Sequence, residues 1–419
     1  MANKIMDIIN AHKDKVCSCG KIHETAIKDV EVGSGIVNKV GEILKKNNFE
    51  KKLLVVCDKN TLNASKGIEE SLRDFDVEYK IYEDLRVASM ENVEEIESLI
   101  KDKDISVLSV GTGSLNDPCR LACARQNKKF AIFATAPSMD GFASYGAPIV
   151  NKGFKATYPA KSPDVIMADT KILANAPSRL KSAGFGDMIA KYTALVDWQI
   201  STLLIDEYWC DDVASITRDA IDQLMDLADK VTVNDEETAG KIFEALLMTG
   251  IGMSYTKTSR PASGAEHVIA HLMECKEIEE GKVPNFHGED VGVCTLKMLK
   301  YYNELASHPT INTKQENINW DDVYAWYGNM ANDVKKLNNP TITEQVDINK
   351  LKENWPKIIE IIKSVPSYEV CKDAMIKAGC KVTIDDIEKT QEFYDDCEKY
   401  SPFMRYRLTL LRLKDMIEI

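Results

Sequence analysis

Four short apolar runs punctuate the first part of the chain: Lys52-Leu-Leu-Val-Val-Cys57, Ile105-Ser-Val-Leu-Ser-Val110, Phe130-Ala-Ile-Phe-Ala134 and Val165-Ile-Met-Ala168. They end at Asp58, Gly111-Thr-Gly113, Thr135-Ala-Pro137 and Asp169, and charged segments with room for helices separate them. Continuous apolar runs, rather than alternation, predict strands buried on both faces, hence a parallel sheet covered by helices on either side. In such sheets the functional loops lie at the carboxyl ends of the strands, where these Asp, Gly and Thr residues fall. From about Ala176 the texture changes. β-Branched runs thin out, and helical spacing dominates, for example over 214–231 and 239–253. The pattern predicts an α/β, Rossmann-like nucleotide-binding domain over 1–175, with 1–28 as a possible extension, and an all-α metal-binding domain over 176–419. With no low-complexity linker between them, the active site is expected in the interdomain cleft.

Composition changes this picture little. The 419 residues suit two domains, and 44% hydrophobic with 28% charged residues is ordinary for a globular protein. A net charge of −13 argues against a nucleic-acid partner, since no basic stripe is available for phosphates. No apolar run approaches the ~18 residues of a membrane span. Eleven cysteines without a signal peptide predict a reducing, cytoplasmic location.

The chemistry concentrates in few places. Six histidines are present, and His267, His271 and His287 lie close together. Asp187, in Ala183-Gly-Phe-Gly-Asp187, with His267 and His287 makes a carboxylate-and-two-imidazole set, borderline-hard and suited to a catalytic divalent ion. Each has a plainer reading: Asp187 and Lys191 could be an i,i+4 ion pair, and a lone histidine is often a core residue. Val268 stands where an H-E-x-x-H protease would carry Glu, so that motif is excluded. Gly111-Thr-Gly-Ser-Leu-Asn116 follows a strand and would bring helix amides to a pyrophosphate, although Asn116 replaces the third glycine of G-x-G-x-x-G. Gly33-Ser-Gly35 is weaker and could be a turn. Asp58 could meet a ribose or merely cap a helix. Thr135-Ala-Pro-Ser-Met-Asp-Gly141 supplies hydroxyls and a carboxylate after a buried strand. Cys17-Ser-Cys-Gly-Lys-Ile-His23 offers three soft ligands and no second half, which reads as a packed or flexible N-terminal segment, with a secondary metal as the alternative.

Taken together, Thr135–Ser144, Ser162-Pro-Asp-Val-Ile-Met-Ala-Asp-Thr170, Ala176-Pro-Ser-Arg-Leu180, Ala183–Asp187, Ser259-Arg-Pro-Ala-Ser-Gly-Ala-Glu-His267 and His287-Gly-Glu289 resemble the sn-glycerol-1-phosphate dehydrogenase family. That family falls within the iron-containing alcohol dehydrogenase, glycerol dehydrogenase and dehydroquinate synthase superfamily. The resemblance implies Asp187, His267 and His287 as ligands of Zn²⁺ or Ni²⁺. It implies Asp58, Gly111, Gly113, Ser114, Asn116, Asp117, Thr135 and Ser138 around NAD or NADP, with Ser144 near the nicotinamide. Asp140 would touch the substrate hydroxyl as a catalytic residue. The implied substrate pair is dihydroxyacetone phosphate and sn-glycerol 1-phosphate, and the implied assembly a homo-oligomer. His271, one turn from His267, is the expected proton donor because of its intrinsic pKa range. Arg260 and Lys191 are phosphate candidates on proximity alone. The alternatives are a dehydrogenase of unphosphorylated polyols, a dehydroquinate-synthase-like lyase and a non-catalytic metal or nucleotide sensor.

Overall fold

The computed structural model describes residues 2–419. Six parallel strands form the main sheet, in the order β1–β8–β5–β4–β2–β3. They are β1 (Asp29–Gly33), β2 (Lys52–Asp58), β3 (Asp76–Tyr82), β4 (Ser106–Gly111), β5 (Phe130–Ala134) and β8 (Val165–Asp169). An antiparallel hairpin, β6 (Gly146–Asn151) with β7 (Phe154–Pro159), leaves the sheet between β5 and β8.

The four apolar runs became β2, β4, β5 and β8, and their burial explains why they read so clearly. Along β2, Leu53 and Val55 enter the core on one face while Leu54 and Val56 enter the core on the other. Side chains alternate across a strand, so two buried faces demand an unbroken apolar run. Edge strand β3 shows the converse. Its sequence, Asp-Val-Glu-Tyr-Lys-Ile-Tyr, is largely half-exposed, and its charges hid it from a search for apolar runs.

Beyond β8 the chain is helical, apart from a two-residue antiparallel pairing of Asn312–Thr313 with Ile417–Glu418. The central element is the Ser178–Ile205 helix, buried nearly all round and therefore without a polar face over most of its length. Its glycines set its neighbours. A Cβ on Gly184 would lie 1.9 Å from the Pro137 carbonyl oxygen, and one on Gly186 would lie 2.4 Å from that of Gly288. From the opposite side, a Cβ on Gly288 would lie 1.8 Å from the Ala183 carbonyl oxygen. The helix therefore touches both the loop after β5 and the His287–Leu305 helix backbone to backbone. No helix of the described residues is long and apolar enough to cross a membrane.

Candidate active site

Where the carboxyl ends of β2, β4 and β5 face the helical region, a cleft of about 480 Å³ opens. Asp58, Gly113, Ser114, Asp117, Thr135, Ser138 and Asp140 line it from the sheet side, and His271, Glu274 and His287 from the helical side.

The donor atoms of Asp187, His267 and His287 lie within 4.8 Å of one another. Each comes from a different helix: Ser178–Ile205, Ala265–Glu279 and His287–Leu305. Both imidazoles are oriented through Nδ1, which lies 2.8 Å from Glu266 Oε1 in His267 and 2.9 Å from Glu274 Oε1 in His287. That turns Nε2 of each ring inward toward Asp187, the arrangement in which an outer carboxylate fixes a metal-binding imidazole. His267 Nε2 is 3.3 Å from Asp187 Oδ1, and Asp187 Oδ2 accepts from the Asp140 N–H at 2.9 Å. Burial opposes charge on Asp187, but the Lys191 ammonium at 2.6 Å and the His267 hydrogen bond hold its carboxyl well below the ordinary range. Burial also opposes charge on His267, yet its bonds to Asp187 and Glu266 raise the imidazole's affinity for a proton. Positive charge is favoured among these buried carboxylates, and a divalent ion on two imidazoles and one carboxylate satisfies that demand. The donor set fits such an ion.

A second trio, His271, Glu274 and His287, has donors equally close. Glu274, however, already bonds His287 and forms an ion pair with Lys155, and these partners hold its carboxyl down at about 2 against the effect of burial. It positions His287. Replacing Glu274 with Gln is therefore expected to weaken metal affinity about 10–100-fold, measured by chelator competition. An unchanged affinity would remove Glu274 from this role.

The sequence-predicted positions separate into groups. Asp58 lines the cleft and caps the Lys59–Ala64 helix, accepting from Thr61 N at 2.8 Å. Thr112 is the N-cap of the Gly113–Arg125 helix and caps it with no side-chain hydrogen bond. The first amides of that helix are thereby left for an anion in the cleft. Gly111, Asn116 and Ser144 are not cleft-lining. Asn116 is fully buried and accepts from Ser109 Oγ at 2.7 Å, while Ser144 Oγ bonds within its own turn at Gly146.

Three expectations need correction. Arg260 is 2% exposed, donates from Nε to Glu207 at 2.8 Å and from Nη2 to the Leu408 carbonyl at 2.8 Å, and does not line the cleft. A guanidinium held against Glu207 inside the helical region is not placed to meet a phosphate in the cleft. Lys191 is fully buried between Asp187 and Asp140, 2.7 Å from the latter, and does not line the wall either. Finally, burial and then the Lys155 ammonium push His271 well below its ordinary value, so at neutral pH it is an uncharged imidazole rather than a proton-charged acid.

Residues that the sequence did not flag now appear. Lys155, on β7, lines the cleft, as does Arg86, which stacks 4.1 Å over the Phe286 ring. Glu266 and Glu274 had a usable signal, since Glu266 adjoins His267 and Glu274 is two turns beyond it on the same helix. Lys155 had none.

One buried acid close to the site carries a pH signature. Burial pushes the Asp290 carboxyl up to about 8. Against about 3.9 in an unfolded chain, the folded state binds more protons between those values. Asp290 thus contributes stability that is lost as pH rises through that window. Replacing Asp290 with Asn is expected to flatten the decline of the thermal midpoint between pH 5 and 8. An unchanged pH profile would contradict this.

Comparison with known proteins identifies the fold and the family. The family described as iron-containing alcohol dehydrogenase matches residues 31–177. The fold is that of NADH-dependent butanol dehydrogenase A from Thermotoga maritima, with TM-score 0.61, 16% identity and coverage of 94% of this chain and 92% of that one. It is likewise that of sulfoacetaldehyde reductase from Bifidobacterium kashiwanohense, with TM-score 0.60, 12% identity and coverage of 90% and 91%. Among curated relatives, the glycerol-1-phosphate dehydrogenase [NAD(P)+] of Halalkalibacterium halodurans is 34% identical over 302 residues, spanning 69% of this chain and 74% of that protein. That of Geobacillus stearothermophilus is 29% identical over 373 residues, spanning 87% and 86%. The chain belongs to the glycerol-1-phosphate dehydrogenase family.

Proposed function

We propose that the cleft catalyses reversible hydride transfer between NAD(P)H and C2 of dihydroxyacetone phosphate, forming sn-glycerol 1-phosphate. The observation that carries this reading is an Asp/His/His donor set that reaches the cleft through His287, opposite the open amino end of the Gly113–Arg125 helix. A divalent ion held by Asp187, His267 and His287, Zn²⁺ or Ni²⁺, would act as Lewis acid on the C2 oxygen, and the nicotinamide would supply the hydride. The protein does the rest. Amides of Gly113 and Ser114 bind the pyrophosphate, and Asp58, Thr135 and Ser138 hold the nucleotide along the strand ends. Asp140 reaches the substrate hydroxyl. Burial and the neighbouring Asp187 raise its carboxyl, and with Lys191 at 2.7 Å it sets an acid–base pair beside the developing alkoxide. His271, uncharged, offers a hydrogen bond instead.

Phosphate recognition falls to Lys155 and Arg86, the cations on the cleft wall. Lys155→Ala is expected to raise KM for dihydroxyacetone phosphate about tenfold or more, roughly the 1.5–3 kcal/mol of a charged hydrogen bond, with a much smaller loss on unphosphorylated dihydroxyacetone, where only its pairing with Glu274 is missed. Equal loss on both substrates would show a structural role. The direct test is turnover of the two ketones by the wild-type chain. Preference for the phosphorylated ketone supports the proposal, and preference for dihydroxyacetone would make the protein a polyol dehydrogenase.

A further inference from the structure

A second cluster of metal-binding side chains lies outside the cleft. Residues 16–22 fold into a small hairpin: Val16 pairs antiparallel with Ile22, Cys17 N–H donates to Lys21 O at 2.8 Å, and Gly20 N–H donates to Cys17 O at 2.8 Å. Gly20 turns the chain at φ +81°, a left-handed conformation that favours glycine. The hairpin presents Cys17 and Cys19, and the chain returns with His23, which is 1% exposed. The fourth group comes from far along the sequence: Cys210, at the amino end of the Asp211–Met225 helix.

The distances describe a closed site. Cys17 Sγ is 3.6 Å from Cys210 Sγ, Cys19 Sγ is 3.5 Å from His23 Nε2, and Cys210 Sγ is 3.3 Å from His23 Nε2. All four donor atoms fall within 4.8 Å of one another. A tetrahedron with Zn–S of about 2.3 Å and Zn–N of about 2.0 Å has edges of roughly 3.5–3.8 Å. His23 turns Nδ1 to the Tyr255 carbonyl oxygen at 3.4 Å, which directs Nε2 toward the thiols, and its ring stacks on Tyr255 at 5.3 Å. Cys19 and Cys210 receive backbone N–H groups from Lys21 and Val213, as metal thiolates commonly do. Three thiolates would leave one net negative charge on a divalent ion, and the Lys21 ammonium stands nearby, 3.4 Å over the Tyr208 ring. A disulfide does not account for the cluster, since the Cys17–Cys210 separation far exceeds the ~2.05 Å of an S–S bond.

We propose that Cys17, Cys19, His23 and Cys210 bind one structural zinc ion, which fastens the segment ahead of β1 onto the helical region. Four protein ligands leave no open position, and none of them lines the cleft. The site is therefore separate from hydride transfer.

The test uses the full-length chain in a His267→Ala background, so that the cleft contributes no tightly held metal, and counts zinc per chain after dialysis against a mild chelator. One zinc is expected to remain, and none after adding Cys210→Ser. With cobalt in place of zinc, a thiolate-to-cobalt charge-transfer band is expected and is lost in the same variant. Cys17→Ser, on the more accessible arm, repeats the comparison should Cys210→Ser fail to fold. Equal zinc content with and without the cysteines, absence of the charge-transfer band, or a Cys17–Cys210 disulfide in the unreduced protein would each overturn the proposal. The outcome does not depend on which ketone the enzyme reduces.

Discussion

Replacing His267 with alanine is expected to lower kcat/KM by about a thousandfold or more, roughly 4 kcal/mol in the barrier, while leaving the fold intact. His267 meets Asp187 at 3.3 Å through Nε2 and is steered by Glu266 through Nδ1. An open site with three protein ligands holds an ion poorly after losing one. The loss should appear together with loss of tightly bound metal, and far-UV circular dichroism should be unchanged. Full activity in a metal-stripped His267→Ala protein would remove this residue from the ligand set.

The second large effect is expected at a residue with no functional group. Gly288 follows the proposed ligand His287, and a Cβ there would lie 1.8 Å from the Ala183 carbonyl oxygen and 2.6 Å from its carbonyl carbon. Backbone cannot rotate away as a flexible side chain can. Gly288→Ala must push apart the Ser178–Ile205 and His287–Leu305 helices, which carry Asp187 and His287. Overpacking typically costs about 1–3 kcal/mol, and a backbone clash belongs at the upper end of that range. Denaturant unfolding should register the loss, and chelator competition should show weaker metal binding in whatever protein folds. A variant with wild-type stability and metal affinity would mean that the helices can separate without disturbing the ligands.

Such dependence on close approach explains what the sequence could and could not disclose. Strands β2, β4, β5 and β8 were legible because burial on both faces leaves a continuous apolar run. Strand β3 was not, because an edge strand keeps charges such as Glu78 and Lys80, both of which enter ion pairs. Asp187, His267 and His287 stood out through the rarity of histidine and the resemblance of their flanking segments. Their geometry required the fold, since three helices bring the donors together. Proximity in sequence misplaced Arg260: it lies seven residues before His267, yet its guanidinium turns to Glu207 inside the helical region. Lys155 was invisible for the opposite reason. It is remote in sequence from every ligand and reaches the cleft only because the β6–β7 hairpin folds against the Ala265–Glu279 helix, where it pairs with Glu274. Cys210, separated from His23 by 187 positions, had no local pattern to announce it.

The central claim, metal-dependent reduction of a phosphorylated ketone in the cleft, meets its most direct test in NAD(P)H oxidation with dihydroxyacetone phosphate before and after chelation. Activity should vanish when the ion is removed, return on adding Zn²⁺ or Ni²⁺, and yield sn-glycerol 1-phosphate as the product. Undiminished oxidation in fully chelated enzyme, or no oxidation with either nucleotide in the metal-replete enzyme, would contradict it.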